Sequence, residues 1–245
     1  MLVRTVAFLT VILLGCAGNS IAQNQNSEHL SGFFTATGTY KFSPKWMAYL
    51  ELQARSIEKF RTIDYYEIKG GTGYNFNETN QAFVGLGRYT TYKEKGLNQE
   101  EFRLWLQYTF SHYISKLDLD HRVRAEQRFF HFPKTDENTT DQRYRYRLSA
   151  TLPLNKKKVT AQTVFLNAFN EIFLGPKANA FKRNRVYAGA GYQFNQNVGI
   201  TTGYLWQREL SPEGNRSLHF IHMSVNVVID RWADKDKRIF IPVAD

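Results

Sequence analysis

The sequence predicts an all-β chain closed into an antiparallel transmembrane β-barrel of ten to twelve strands, with twelve preferred, and three observations predict it. Apolar and polar residues alternate along nearly the whole chain, which is the period of an extended strand. The alternating runs are about 12 to 15 residues long, beyond the five or six of a typical soluble strand and enough for the ~9–11 that a tilted strand needs to cross hydrocarbon. An export signal precedes them: Arg4, an apolar run from Val6 to Leu14, and Ser20-Ile21-Ala22 before Gln23, the layout a signal peptidase reads. This assigns 1–22 to a signal peptide and 23–245 to a single barrel domain with a short charged tail at 231–245. A rival reading takes Leu13-Leu14-Gly15-Cys16 as a lipobox that would leave a lipidated Cys16 at the amino terminus.

The runs follow in order, each bounded by turn residues. The first, 29–42, stops at Ser43-Pro44-Lys45. The second, 45–58, carries Trp46, Ala48, Leu50, Leu52 and Ala54 on one face and Glu51, Gln53 and Arg55 on the other. A loop near 59–63 leads to the third, 64–76, whose closing aromatics Tyr74 and Phe76 precede the turn from Asn77 to Asn80. The fourth, 81–92, contains Gly85-Leu86-Gly87; without a following helix this is no phosphate loop, and glycine there lets the wall curve or large neighbours pack. After a loop at 93–98, the fifth, 99–112, sets Phe102, Leu104, Leu106, Tyr108 and Phe110 against Glu101, Arg103 and Gln107.

Past the turn from Tyr113 to Lys116, the sixth run, 117–132, opposes Leu117, Leu119, His121, Val123 and Ala125 to Asp118, Asp120, Arg122, Arg124, Glu126 and Arg128. A loop at 133–140 separates it from the seventh, 141–152, which opens on Arg143-Tyr144-Arg145-Tyr146-Arg147 and so sends three charges to one face. The turn Asn155 to Lys157 leads to the eighth, 158–172, with Asn170-Glu171 near its end and a loop at 173–181 behind it. The ninth, 182–194, has Arg183 and Arg185 early and Val186, Ala188, Ala190, Tyr192 and Phe194 later. Asn195 to Asn197 turns the chain into the tenth, 198–209, and a loop at 210–216 precedes the eleventh, 217–230, with Ile221, Met223, Val225, Val227 and Ile229 in alternation. Tight connections thus alternate with longer ones, as periplasmic turns and extracellular loops do in outer-membrane barrels.

Alternation alone does not say which face is outside. A soluble periplasmic lipid carrier would bury Trp46, Leu104 and Val225 around an apolar cavity, whereas a membrane barrel turns them to lipid. Run length and the aromatic residues gathered at strand ends, among them Tyr40, Phe42, Trp46, Phe110 and Tyr113, favour the membrane. Eleven runs sit badly with the even counts of bacterial single-chain barrels. The expected remedies are a missed strand, an amino-terminal segment inside the lumen, or pairing of Ile239 to Val243.

Removing Arg4 takes 32 basic residues to 31 against 22 acidic ones, a mature charge of about +9. The arginines are spread through strands, with no basic helix, zinc spacing or nucleic-acid motif, so nucleic acid is not the expected partner. Anionic lipid and lipopolysaccharide are. Cleavage after Ala22 would remove the single cysteine, and with it any disulfide, thiolate nucleophile or cysteine metal site. Asp118 and Asp120 sit two apart beside a potential ligand in His121, but on a strand the histidine points away from both. No metal or cofactor site is expected.

Glu51 with Arg55, the stretch from His121 to Phe129, Arg143 to Arg147, Asn170-Glu171 and the stretch from Asn184 to Tyr192 are together similar to a Bacteroidota family designated domain of unknown function 2490. The similarity runs over about residues 30 to 230. It implies an outer-membrane barrel and supplies no activity, so it carries over no catalytic residue.

In a barrel of this size the charged face points inward. The expected lumen network is Glu51, Arg55, Glu101, Arg103, Arg122, Arg124, Glu126, Arg128, Arg143, Arg145, Arg147, Glu171, Arg183 and Arg185, where arginine forks pair with carboxylates and fix strand register. The expected role is a non-enzymatic outer-membrane barrel. The alternatives are a narrow anion-selective pathway or a pocket for a small anionic solute, and an outer-membrane lipid-modifying enzyme. For the last, His222 and Ser224 share a face at a spacing similar to that in outer-membrane phospholipase. Val225-Asn226 departs from that family's Asn-Gly, and His222 falls on the predicted lumen face.

Overall fold

The structure, a computed structural model, describes residues 30–56, 62–94, 96–176, 180–211 and 214–232. Among them eleven strands close a single barrel: β1 (Leu30–Lys41), β2 (Trp46–Arg55), β3 (Tyr65–Asn75), β4 (Asn80–Lys93), β5 (Gly96–Ile114), β6 (Leu117–Phe132), β7 (Glu137–Pro153), β8 (Thr163–Leu174), β9 (Phe181–Gln193), β10 (Val198–Ser211) and β11 (Gly214–Asp230). Each strand is antiparallel to its sequence neighbours, and β1 closes the ring against β11 in parallel, from Leu30↔His219 to Lys41↔Asp230. The preference for twelve strands is therefore corrected to eleven. A ring of wholly antiparallel neighbours must have an even count, so an odd ring needs one parallel seam. The expected signal peptide at 1–22, Cys16 and Ile239 to Val243 lie outside the described residues.

Parallel pairing is slightly weaker per residue than antiparallel pairing, and this seam is tied from inside by side chains. The Thr37 hydroxyl donates to Asn226 Oδ1 at 2.9 Å, Lys41 Nζ meets Asp230 at 2.8 Å, and Thr35 Oγ1 lies 3.3 Å from His222 Nε2. The rings of Phe33 and Phe220 pack edge to face across it, 5.6 Å apart. The threonine alternation of β1 thus closes the barrel.

The polarity is inverted relative to a water-soluble fold. Leu104, Val123 and Val225 are 44%, 55% and 47% exposed on the outside, while Arg124 and Arg145 are 5% and 3% exposed within. Trp46 also faces outward, so an apolar cavity of the kind a lipid carrier needs has lost its predicted lining. The row from Phe102 to Phe110 runs about 27 Å along β5, or about 21 Å along the axis at a tilt of ~40°, close to the ~25 Å apolar band of outer-membrane barrels. Aromatic residues flank the band at both ends. Trp46, Tyr74 and Phe76 pack edge to face near one rim, as do Tyr192 and Phe194, and Tyr66 packs on Tyr92 near the other.

The connections 42–45, 76–79, 115–116, 154–162 and 194–197 gather at one rim, called here the turn rim; the opposite strand ends, such as Arg55, Tyr65, Lys93, Phe132, Glu137, Leu174 and Ser211, make the other. Several connections differ from expectation. The predicted loops at 93–98, 133–140 and 210–216 are in good part strand, at 93 and 96–98, at 137–140, and at 210–211 and 214–216, with the last pairs Lys93↔Gly96, Phe132↔Glu137 and Ser211↔Gly214. Once two antiparallel strands are in register, continued pairing satisfies backbone groups that would otherwise need separate partners. Conversely, the tight turn at 155–157 opens into a nine-residue connection, 154–162. Asn155 organises it by donating to Gln162 O and accepting from Val164 N, and Val159 is buried.

The glycines of β4 and β9 receive aromatic rings. A Cβ on Gly85 would stand 2.2 Å from the Trp105 ring, and one on Gly191 would stand 2.3 Å from Phe165. Gly85→Val should therefore lower unfolding stability by about 1–3 kcal/mol through overpacking. Gly38→Val, where nothing lies within 4 Å of the added Cβ, should be nearly neutral. Urea titration of the refolded barrel followed by gel migration checks both.

Candidate functional site: the charged lumen

The inner face is built by alternation. Residues of one parity on β5, β6 and β7 point inward, and that parity carries Glu101 and Arg103, then Arg122 to Arg128, then Arg143 to Arg147. All fourteen residues of the expected network stand on the inner face. Eleven of them are buried, and Arg122, Arg128 and Arg183 are partly so.

Three carboxylates organise one side. Glu171, wholly buried on β8, receives Arg122 at 2.7 Å, Arg145 at 2.7 Å and Arg147 at 2.8 Å. Glu126 receives Arg143 at 2.5 Å and Arg145 at 2.8 Å, with Arg124 at 3.7 Å. Arg145 thereby bridges the two carboxylates and locks β6, β7 and β8 together. Glu101 is held by Arg103 and by both Nε and Nη2 of Arg128, at 2.6 and 3.1 Å. Charge-assisted bonds of this kind are the strong ones.

On the opposite wall Lys69 lies 2.9 Å from Glu51 and 2.5 Å from Glu67. Tyr49 donates to Glu51 at 2.5 Å, and Tyr65 donates to Glu67 at 2.7 Å. Arg183 pairs with Glu209 at 2.5 Å, and Arg185 Nε donates to Gln207 at 2.6 Å.

Aromatic rings complete the packing. The guanidinium carbons of Arg143, Arg145, Arg183 and Arg185 all lie within 5.4 Å of the centre of the Phe173 ring, and Arg147 sits 4.1 Å over Phe169. Ring faces attract cations, the more so once desolvated. Phe33 of β1, Phe169 of β8 and Tyr187 of β9 belong to one buried cluster, so side chains from well-separated walls meet. Arg147, Glu171, Gln207, Phe33 and Tyr187 have almost no accessible surface.

Several contributors escaped sequence reasoning. Lys69 was legible as the i+2 partner of Glu67. Phe165, Phe169 and Phe173 were not, because β8 is apolar on both faces and only parity with Glu171 places them inside.

The residues weighed for catalysis do not converge. His222 faces inward, with Nε2 beside Thr35, while the Ser224 hydroxyl donates to Asn226 Oδ1 at 3.2 Å. His121 points outward and engages the Tyr146 hydroxyl at 2.8 Å, whereas Asp118 is buried inward. Among the described residues no group of three His, Cys, Asp or Glu is placed to hold a metal.

Comparison with curated proteins and with solved structures gives no match. One family model does match, over residues 30–217, from the first residue of β1 into the start of β11, and covers most of the chain. The chain belongs to the family described as protein of unknown function, DUF2490.

Proposed function

We propose that the chain is an outer-membrane β-barrel, non-enzymatic, with its lumen closed at mid-height by interlocked arginines and carboxylates, so that it serves as a structural or ligand-binding barrel and not as an open pore. The observation that carries this is the near-complete burial of inward charges such as Arg147 and Glu171. Side chains lining a water-filled channel would keep accessible surface. Burying an ion costs several kcal/mol unless it is paired and hydrogen-bonded, and these are paired several times over. The inverted polarity and the export signal at 1–22 support placement in the outer membrane, with the turn rim toward the periplasm and lipid and lipopolysaccharide against the wall.

Refolding the mature chain into detergent and then into planar bilayers tests both parts. Folded protein should migrate faster than boiled protein on gels and should give no stable conductance steps. A monomer that stays soluble without detergent would overturn the membrane placement. Steady anion-selective steps would overturn the closed lumen.

A further inference from the structure

A groove of about 640 Å³ runs across the outer wall over β1–β4, on the half away from the turn rim. Phe34, Ala36, Leu52, Ala54 and Ile68 make its apolar length. Ala36 stands beside Leu52 and Ala54 beside Phe34 in the β1–β2 register, and their single methyls leave a depression among larger neighbours. Tyr66 and Tyr92, packed edge to face at 5.9 Å, mark the end farther from the turn rim.

The polar part of the groove is Arg88. Among the outward residues of β1–β5, Arg88 and Glu100 are the only Lys, Arg, Asp or Glu. Arg88 follows Ala82, Val84 and Leu86 on the outward row of β4 and stands opposite Phe102, where the apolar row of β5 ends. Charge is tolerated on a barrel wall near the interface and not at the midplane, and this position allows the long arginine stem to lift its head to the headgroup level. The side chain is 65% exposed, and its one polar contact among the described residues runs from Nη2 to Glu100 Oε1. Ion pairs this open hold their partners weakly. A guanidinium carries five N–H donors, so most of those of Arg88 stay open beside the groove, where hydrocarbon offers them no acceptor.

We infer that this groove is a binding site for one phosphate-headed membrane lipid, an acyl chain lying along Ala36, Leu52, Ala54 and Ile68 and the phosphate meeting Arg88. The inference rests on the outer-membrane reading, since it needs this wall to face lipid. The two halves of the site match the two halves of such a molecule. The planar fork of arginine engages phosphate oxygens two at a time, and the exposed Tyr66 and Tyr92 put phenol groups at the same end of the groove. The apolar length selects the lipid over free phosphate. Glu100 competes for the same guanidinium, which keeps the lipid exchangeable.

Native mass spectrometry of the mature chain, refolded in non-ionic detergent and titrated with dilauroylphosphatidylglycerol, tests the site. One lipid should be retained saturably per barrel. Dilauroylglycerol, which has the same chains and no phosphate, should be retained roughly tenfold less, the loss expected for one charge-assisted contact. Arg88→Gln should bring the phospholipid down to that level, while Arg208→Gln, on the outward side of β10, should change nothing. Ala36→Phe, which fills the groove and removes no charge, should abolish retention, and Glu100→Gln should strengthen it. Inorganic phosphate should not displace the lipid. Heat-modifiable migration reports the folding of each preparation separately. A folded barrel that retains both lipids equally, that keeps the phospholipid in Arg88→Gln or Ala36→Phe, or that loses it to inorganic phosphate would overturn the site and leave the barrel reading intact. A chain that is monomeric and soluble without detergent would remove both.

Discussion

Leu106→Arg should destabilise the barrel in phospholipid vesicles by about 2–4 kcal/mol, the depth-dependent cost of a cation at the lipid-facing midplane of an outer-membrane barrel. Leu106 is 67% exposed at the centre of the outward row of β5, between Leu104 and Tyr108. For a water-soluble protein an exposed leucine is among the safest positions for arginine, and the expected change is within about 0.5 kcal/mol. The two readings of the same exposure therefore predict opposite results. Ile114→Arg, on the same outward face at the end of the same strand beside the turn rim, should cost only ~0–1 kcal/mol, because near the interface the guanidinium reaches headgroups and water. Urea unfolding in vesicles, read by gel migration, should show a midpoint loss of roughly 1 M for Leu106→Arg and little for Ile114→Arg. Equal midpoints for Leu106→Arg and the parent would mean that this wall does not face hydrocarbon.

The ladder of alternation made most of this legible in advance. The sixth run was bounded at 117–132, the extent of β6, because Lys116 and Pro133 punctuate both ends. The eighth was placed at 158–172 and begins instead at Thr163. Lys156 to Lys158 gave no polarity contrast, and Val159 is drawn inward by packing that only the closed barrel supplies. The parallel seam left no local mark: β1 and β11 look like any other strands, and their relative direction follows from the parity of the whole count. Inward charges were readable from parity, since Arg143, Arg145 and Arg147 must share a face. Which carboxylate each one meets was not, because Glu171 is separated in sequence from all three arginines that it binds and comes beside them only when β8 pairs with β7 at Arg147↔Glu171. The groove beside Arg88 was equally hidden, for it exists only once β1 to β4 lie side by side.

Glu171→Gln should be the most damaging conservative change in the lumen. The substitution keeps the shape and one acceptor oxygen but removes the charge that holds Arg122, Arg145 and Arg147. Removing one partner of a buried ion pair costs about 3–5 kcal/mol because the other charge is left uncompensated. Here three guanidiniums lose their shared counter-ion, and the expected loss lies at the upper end of that range, enough to abolish refolding in a marginal barrel. The loss should change little between low and high salt, since buried pairs are screened far less than exposed ones. If uncompensated charge is the cause, removing a cation should repair part of it. Arg147 stands over Phe169 in a nearly solvent-free position, so Glu171→Gln with Arg147→Met should be less destabilised than the sum of the two single changes, by about 1–3 kcal/mol. Simple additivity would mean that Glu171 acts through packing alone, and the interlocked network would then not be what closes the lumen.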